Sequence, residues 1–230
     1  MNKPLFTLAL ALASALSAPA FASEPQRIDF DINAGKITPT EDFMIMVSVL
    51  GSAITSKGTD IPVTVQLDIG DQTVNPWGDA TDHEAADVND PYAPTRNYVV
   101  NELFEVDENS NPADTEVTIT ARSWVNGSVY IEANSHEQSE QVKILRDGDD
   151  VPSIDGLNDQ ADVLHFIEPY IDFDTNTISL DENQAIYLFE IGTTDMSKSS
   201  ADFQDLVALV TFGKTKRDFY RYLDLAALYD

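Results

Sequence analysis

The sequence predicts a mainly β protein: one antiparallel β-sandwich of the jelly-roll or immunoglobulin-like type, with one short helix and a long acidic loop. Three observations predict this class. Segments in which apolar and polar residues alternate recur along the chain, as in RIDFDIN and IPVTVQLDI. An Asn-Gly pair joins two such segments, which is typical of a tight hairpin. One internal segment, DQADVLHFIEPYI, has the spacing of an amphipathic helix.

The first 22 residues have the pattern of an export signal. Lys3 supplies a positive charge, an apolar run follows from Leu5 to Leu16, and small residues precede a cleavage point after Ala22. The apolar run is shorter than the roughly 20 residues needed to cross a bilayer. We therefore expect a cleaved, exported chain that is periplasmic, cell-surface or secreted and has no membrane insertion.

The first strands differ in the number of faces that they are expected to bury. In residues 27–33 every second residue is apolar, which predicts one buried face. Residues 42–50 (DFMIMVSVL) are almost continuously apolar, as in a strand covered on both faces. Residues 61–69 alternate again, so that Thr64 is expected on the solvent side.

A long polar segment, residues 70–95, follows and lacks any periodicity. Loops of this length inside a domain commonly have a function. Trp77 and Tyr92 lie in it, and aromatic rings beside polar groups can stack on sugars or anchor a partner. Both are candidate ligand-binding residues. The alternative is that the two rings attach the loop to the core.

Residues 115–135 (TEVTITARSWVNGSVYIEANS) predict a hairpin whose turn is Asn126-Gly127. Across such a turn Trp124 should pair with Val129. Trp124 falls on the opposite face from the apolar residues earlier in the same strand, and we expect a bulge near Arg122–Ser123 to reconcile the two faces.

The last third of the chain contains the predicted helix, two apolar strands and a basic tail. The helix occupies residues 159–171 and ends or bends at Pro169. The strands lie within AIYLFEI and FQDLVALVTF. The expected organisation is a signal peptide at 1–22, a β-sandwich domain at 23–213 and a C-terminal tail at 214–230, which is a candidate helix.

Composition constrains the partners. The chain has 13 Lys and Arg against 40 Asp and Glu, a net charge of −27. Loss of Lys3 with the signal leaves 12 − 40 = −28. Such a charge repels nucleic acid and anionic lipid and attracts divalent cations. The chain has no cysteine, so the fold forms without disulfides.

Calcium is the candidate cofactor. In YIDFDTNTISLDEN, Asp172, Asp174 and Asn176 alternate as calcium ligands can. An EF-hand is not expected, because the glycine position holds Thr177 and the bidentate glutamate position holds Asn183. An irregular calcium site and a solvated turn between two strands remain open. Four more acids in nearby loops are candidate ligands: Asp147, Asp149, Asp195 and Asp202.

The segment IYLFEIGTTDMSKSSADFQDLVALV, within residues 183–212, is similar to the closing segment of secreted bacterial β-sandwich domains of uncharacterised function. The similarity lies in the Asp-aromatic-x-Asp-Leu-Val run from Asp202 that begins the last strand. The resemblance implies a surface or matrix protein. It implies no catalytic residue.

Enzyme signatures such as Gly-x-Ser-x-Gly, a phosphate-binding glycine loop and His-Glu-x-x-His do not occur. The favoured function is therefore an exported, non-enzymatic surface, matrix or adhesion-type binding protein that calcium stabilises, with glycans or other surface proteins as partners. One alternative is a self-assembling extracellular subunit whose N-terminal strand adds to a neighbour. Another is a secreted carbohydrate-binding or glycan-active protein that uses Trp77, Tyr92 or Trp124.

Overall fold

The computed structural model describes residues 27–56, 58–78, 87–88, 97–99, 110–137, 140–152, 166–198, 200–219 and 222. The predicted signal peptide, most of the predicted helix and most of the C-terminal tail lie outside these ranges. From the predicted helix, residues 166 and 167 are helical, and a 3₁₀ turn, Glu168–Tyr170, follows at Pro169.

The described chain is mainly β. Its strands, in chain order, are β1 Phe30–Asn33, β2 Lys36–Pro39, β3 Met44–Gly51, β4 Thr55–Ser56, β5 Thr59–Asp60, β6 Val63–Ile69, β7 Gln72–Val74, β8 Asn97–Val99, β9 Val117–Val125, β10 Ser128–Asn134, β11 Val142–Leu145, β12 Ile171–Asp172, β13 Thr177–Ile178, β14 Gln184–Phe189 and β15 Leu206–Gly213. One short α-helix, α1, covers Lys216–Phe219. None of the helical segments in the described ranges has the length and apolar content that crossing a membrane requires.

The longer strands form two antiparallel sheets. The first has six strands in the order β1-β2-β9-β6-β7, with β10 paired to β9. The second has five strands in the order β11-β14-β15-β3-β8. Two small hairpins, β4-β5 and β12-β13, stand apart from them.

The five-stranded sheet is buried on both faces at its centre. Every residue of β14 and of β15 is buried, and seven of the eight residues of β3 are buried. These strands are the nearly continuous apolar segments of the sequence, and a strand with both faces covered needs apolar residues at every position. The prediction for residues 42–50 is therefore confirmed.

The main core contains alternate residues from both sheets. Val65 of β6 and Ile119 of β9 belong to the same buried cluster as Val47 of β3 and Val210 of β15. The rings of Phe30, in the six-stranded sheet, and Phe212, in the five-stranded sheet, lie 5.2 Å apart.

The outer face of the five-stranded sheet has two further coverings. Ile186 and Leu188 of β14, which alternate with the core residues of that strand, pack with Ile167 and Ile178. Met44 and Met46 of β3 pack with Phe219 of α1. The segment from 166 to 180 and the helix α1 thus cover separate parts of one sheet face.

The β9–β10 hairpin forms as predicted, with one correction. Asn126 and Gly127 both have positive φ, at 52° and 72°, and Trp124 pairs with Val129. The register shift lies between Val129 and Ile131 in β10, so the predicted bulge near Arg122–Ser123 was wrong. The extra residue of the bulge is Tyr130 in the exposed strand β10. Its side chain is 57 % exposed, so the bulge disturbs no core packing there.

Thr64 also differs from its prediction. It was expected on the solvent side of β6, and it is fully buried. Trp124 explains this burial, because its indole Nε1 donates a hydrogen bond of 3.0 Å to the Thr64 hydroxyl. The ring lies on the face of the sheet away from the core and covers the threonine there.

The N-terminal strand pairs within its own chain. β1 pairs with β2 from Phe30 opposite Pro39 to Asn33 opposite Lys36. Ile28 and Phe30 are buried in the core. This segment therefore pairs and packs within its own chain. Such packing competes with addition of the strand to the sheet of a neighbouring molecule.

Candidate functional site

Asp172, Asp174 and Asn176 lie at the β12–β13 hairpin. Residues 173–176 form the turn between the two short strands, and Phe173 at its tip is 70 % exposed. The amide of Asp174 donates a 2.9 Å hydrogen bond to Asp172 Oδ1 and lowers the pKa of that carboxyl below its usual range. Asn176 adopts a positive φ of 58°, which closes the turn. The segment is thus a turn between strands.

The structure brings the loop with Asp147 and Asp149 against this hairpin. The Gly148 amide donates to the Ile178 carbonyl at 2.8 Å, and the Ile178 amide donates to the Asp149 carbonyl at 2.7 Å. Asp147 Oδ1 accepts from the Leu180 amide at 3.0 Å. Two acidic loops that are distant in the sequence therefore lie side by side.

Asp195 and Asp202 lie instead in the connection from β14 to β15. Asp195 is exposed; the hydroxyl and amide of Ser197 donate to Oδ1 and lower the pKa of Asp195. Asp202 is buried, and its Oδ1 accepts from the Gln204 amide at 3.3 Å. Within the described ranges, no group of three or more His, Cys, Asp or Glu side chains is placed to ligate a metal ion.

The β14–β15 connection is organised by a buried pair of acids, Glu190 and Asp205. Glu190 accepts from four backbone amides: those of Gly192 and Thr193 at Oε1, and those of Asp202 and Phe203 at Oε2. Asp205 Oδ2 accepts from Ile191 and Gly192 at 2.7 and 2.6 Å. Burial, and then the nearby negative charge of Glu190, raise the pKa of Asp205 to about 9. Both carboxyls therefore hold the connection in place by accepting hydrogen bonds from its backbone amides.

The two aromatic candidates that the structure describes, Trp77 and Trp124, are at least half-buried in the protein. Trp77 is half-buried and packs against the main core, which is the arrangement expected of a ring that attaches the loop. Trp124 is 8 % exposed. Tyr92 lies outside the described residues.

A cleft that the sequence did not reveal lies on the outer face of the five-stranded sheet. It has a volume of about 440 Å³ and lies between the 166–180 segment and the C-terminal region at Tyr222. Such a volume is within the range of small-molecule sites. Its lining residues are Met46, Ser48, Val49, Leu50, Tyr170, Ser179, Leu180, Asp181, Gln184, Leu209 and Tyr222.

Polar groups on one side of the cleft form a network around Asp181. The Tyr222 hydroxyl donates to Asp181 Oδ2 at 2.9 Å, and Arg27 Nη2 lies 3.2 Å from Asp181 Oδ1. Gln184 accepts from the Asp181 amide at 3.2 Å and donates to the Thr211 hydroxyl at 3.2 Å. The network fixes the carboxylate and neutralises its charge with Arg27.

Two of the cleft hydroxyl groups, on side chains that are at least half-buried, make no such bonds within the described ranges. Ser48 is 7 % exposed, and its hydroxyl has no hydrogen-bond partner in the described part of the chain. Tyr170 is half-buried, its hydroxyl likewise lacks a partner there, and burial raises its pKa. Each is therefore a neutral hydroxyl, able both to donate and to accept.

Only one feature of the sequence indicates this cleft. Ser48 is the single polar residue in the run MIMVSVL, and a polar residue in a strand buried on both faces costs free energy unless something binds it. The tyrosines and Asp181 come from distant segments, and their proximity depends on the tertiary fold.

Comparisons of the chain with protein-family models, with curated proteins and with solved structures found no match. The function is therefore argued from the residues of this chain.

Proposed function

We propose that this protein is an exported, non-enzymatic surface, matrix or adhesion-type binding protein whose ligand enters the cleft of the five-stranded sheet. The observation that carries the proposal is the pair of cleft hydroxyl groups, at Ser48 and Tyr170, that have no hydrogen-bond partner among the described residues. Each can both donate to and accept from a ligand in the cleft.

The lining favours binding over catalysis. Asp181, the one carboxylate among the described lining residues, is engaged by Arg27 and Tyr222. A general base needs a free lone pair directed at the proton that it removes. The two serines that line the cleft, Ser48 and Ser179, have no side-chain base hydrogen-bonded to them in the described ranges, and a serine nucleophile needs such a base.

We further propose that the two sheets face each other as a β-sandwich. Three contacts support this arrangement: the Phe30 and Phe212 rings at 5.2 Å, the Ser123 hydroxyl that donates to the Ile191 carbonyl at 2.7 Å, and the Arg146 guanidinium that donates to the Phe30 carbonyl at 2.9 Å. Each joins one sheet to the other or to its adjoining loops.

The experiment uses the chain from Ser23 to Asp230, fluorescently labelled and incubated with intact cells and extracellular matrix of its source organism. Saturable binding is expected. Ser179→Trp places a large ring at an exposed position of the cleft and should abolish binding. Ser128→Trp, in the exposed β9–β10 turn, is the matched control and should leave it unchanged. Equal binding of both variants, or no binding by the wild-type protein, would contradict the proposal.

Calcium stabilisation is a second proposal, supported by the joining of the two acidic loops. Asp147 and Asp149 lie beside the hairpin of Asp172 and Asp174 through the backbone bonds described above. Closure of the loops around an ion would relieve repulsion among these carboxylates and stabilise the folded state by mass action.

A further inference from the structure

We infer that the cleft ligand is a neutral saccharide, and that Ser48 and Tyr170 are the residues that recognise its hydroxyl groups. The inference rests on the proposed function, because it names the ligand class for the same cleft. It assigns sugar recognition to residues other than Trp77, Tyr92 and Trp124.

Ser48 is placed by the alternation of β3. Val47 and Val49 belong to the main core, so the side chain between them points to the opposite face. That face is the one on which the cleft lies, and Ser48 lines it. Ser48 is 7 % exposed and has no side-chain hydrogen-bond partner in the described chain, so its hydroxyl is available to a ligand in the cleft.

The second group, Tyr170, comes from the segment that covers the sheet. Its hydroxyl is free of protein partners in the described ranges, and the burial that raises its pKa keeps it neutral. Tyr222 lies across the cleft and is fixed by its bond to Asp181. An aromatic ring with a polar tip presents both surfaces that a sugar needs, a face for C–H groups and a group for a hydroxyl.

The charge of the cleft selects against ionised ligands. An anion would meet Asp181 and the field of a chain with a net charge of −27. A cation would have to compete with Arg27, which already lies 3.2 Å from Asp181 Oδ1. A neutral hydroxyl, in contrast, is neither repelled by Asp181 nor in competition with Arg27.

Much of the remaining lining is apolar. Met46, Leu50, Leu180 and Leu209 line the cleft together with the polar groups. A ligand that covers these side chains and satisfies isolated hydroxyl groups must present apolar and hydroxyl surfaces within a few ångströms of each other. Pyranose sugars have this property, and the cleft volume of about 440 Å³ suits a ligand of that scale.

The test is isothermal titration of the chain from Ser23 to Asp230 with glucose, galactose, mannose, N-acetylglucosamine and lactose. Galacturonate and glucosamine serve as the charged counterparts. At least one neutral sugar should bind saturably, and its charged counterpart should bind more weakly. Ser48→Ala and Tyr170→Phe should each weaken that binding about five- to tenfold, the effect of one lost hydrogen bond. Ser128→Ala, at an exposed turn, should not change it.

Neither substitution removes a hydrogen bond within the described protein, so melting temperatures within about 2 °C of the wild-type value should accompany the loss of affinity. Absence of binding by every neutral sugar, stronger binding of a charged sugar, or unchanged affinity in Ser48→Ala would overturn the inference. If the sugars do not bind while Ser179→Trp still abolishes surface binding, the saccharide assignment alone is wrong. If surface binding is absent too, the proposed function is wrong as well.

Discussion

Glu190 and Asp205 accept the same amide proton. The Gly192 amide nitrogen lies 3.0 Å from Glu190 Oε1 and 2.6 Å from Asp205 Oδ2. A Cβ on residue 192 would lie 3.1 Å from Asp205 Oδ2 and 3.3 Å from Glu190 Oε1, so the absence of a side chain lets both acids approach. Two carboxyls this close in a buried site avoid repulsion when one of them keeps its proton.

The first prediction concerns pH. Since the pKa of Asp205 is raised to about 9 in the folded state, the folded protein keeps a proton that the unfolded chain loses near pH 4. This contribution to stability is complete below about pH 4 and is lost progressively as pH rises toward 9. Urea unfolding at pH 5, 7 and 9 measures it.

Asp205→Asn is the matched variant, because an amide retains the shape, an oxygen acceptor and a donor toward Glu190. It should unfold with a weaker dependence on pH between 5 and 9 than the wild-type protein. The carboxyls that face Asp205 are Glu190 and Asp202, and both are present in the two proteins. Parallel pH profiles would contradict the assignment of the proton to this pair.

Tyr187 provides the second prediction. Its ring is fully buried in the main core, and its hydroxyl has no hydrogen-bond partner among the described residues. Burial raises its pKa far above the usual value. Because an unsatisfied buried hydroxyl destabilises the fold, Tyr187→Phe should increase the free energy of unfolding by about 1 kcal/mol. Tyr130→Phe, at a ring that is 57 % exposed, should change it little. Loss of stability in Tyr187→Phe would show that the hydroxyl has a partner.

The third prediction tests how the 166–180 segment covers the sheet. A methyl group on Gly51 would lie 2.2 Å from Cδ1 of Phe166, closer than packed atoms approach. Gly51→Ala should therefore displace the segment and lower the free energy of unfolding by about 1–3 kcal/mol. Hydrogen exchange should show faster exchange in residues 166–180 than in β6 or β9. Adding Phe166→Ala should restore part of the stability; further loss in the double variant would contradict the contact.

Calcium is the fourth prediction. Millimolar calcium should raise the melting temperature beyond the effect of sodium chloride at equal ionic strength, measured by calorimetry. Removal of two ligands, in Asp172→Asn with Asp174→Asn, should abolish the difference. The double variant Asp60→Asn with Asp71→Asn removes the same charge from exposed positions elsewhere and should retain it. A flat calcium response in the wild-type protein would rule out stabilisation by this ion.

The strands could be predicted because their signals are local. The alternation in β6 and the continuous apolar runs of β3, β14 and β15 specify how many faces each strand buries. The Asn126-Gly127 turn likewise determined the pairing of Trp124 with Val129.

Features that depend on distant residues were not predictable in this way. Thr64 appeared solvent-facing because nothing near it in the sequence shows that Trp124 covers it. The same limit applies to the cleft, whose polar groups at Ser48, Tyr170 and Tyr222 come from three separate segments. Nothing in the sequence indicates that Glu190 and Asp205 of the β14–β15 connection bind backbone amides. Composition gives the number of carboxylates, and only the tertiary structure shows which donors they meet.

The central pairing of the five-stranded sheet joins Val47 of β3 to Val210 of β15. Most of the polypeptide lies between these positions, so the loop that this pairing closes is very long. Closing such a loop is entropically costly, and folds dominated by distant pairings reach the native state slowly, in milliseconds to seconds. The β9–β10 hairpin, with its two-residue turn, can form far earlier. Until β15 is in place, the apolar face of β3 remains accessible, and newly synthesised chains are most susceptible to aggregation during that interval.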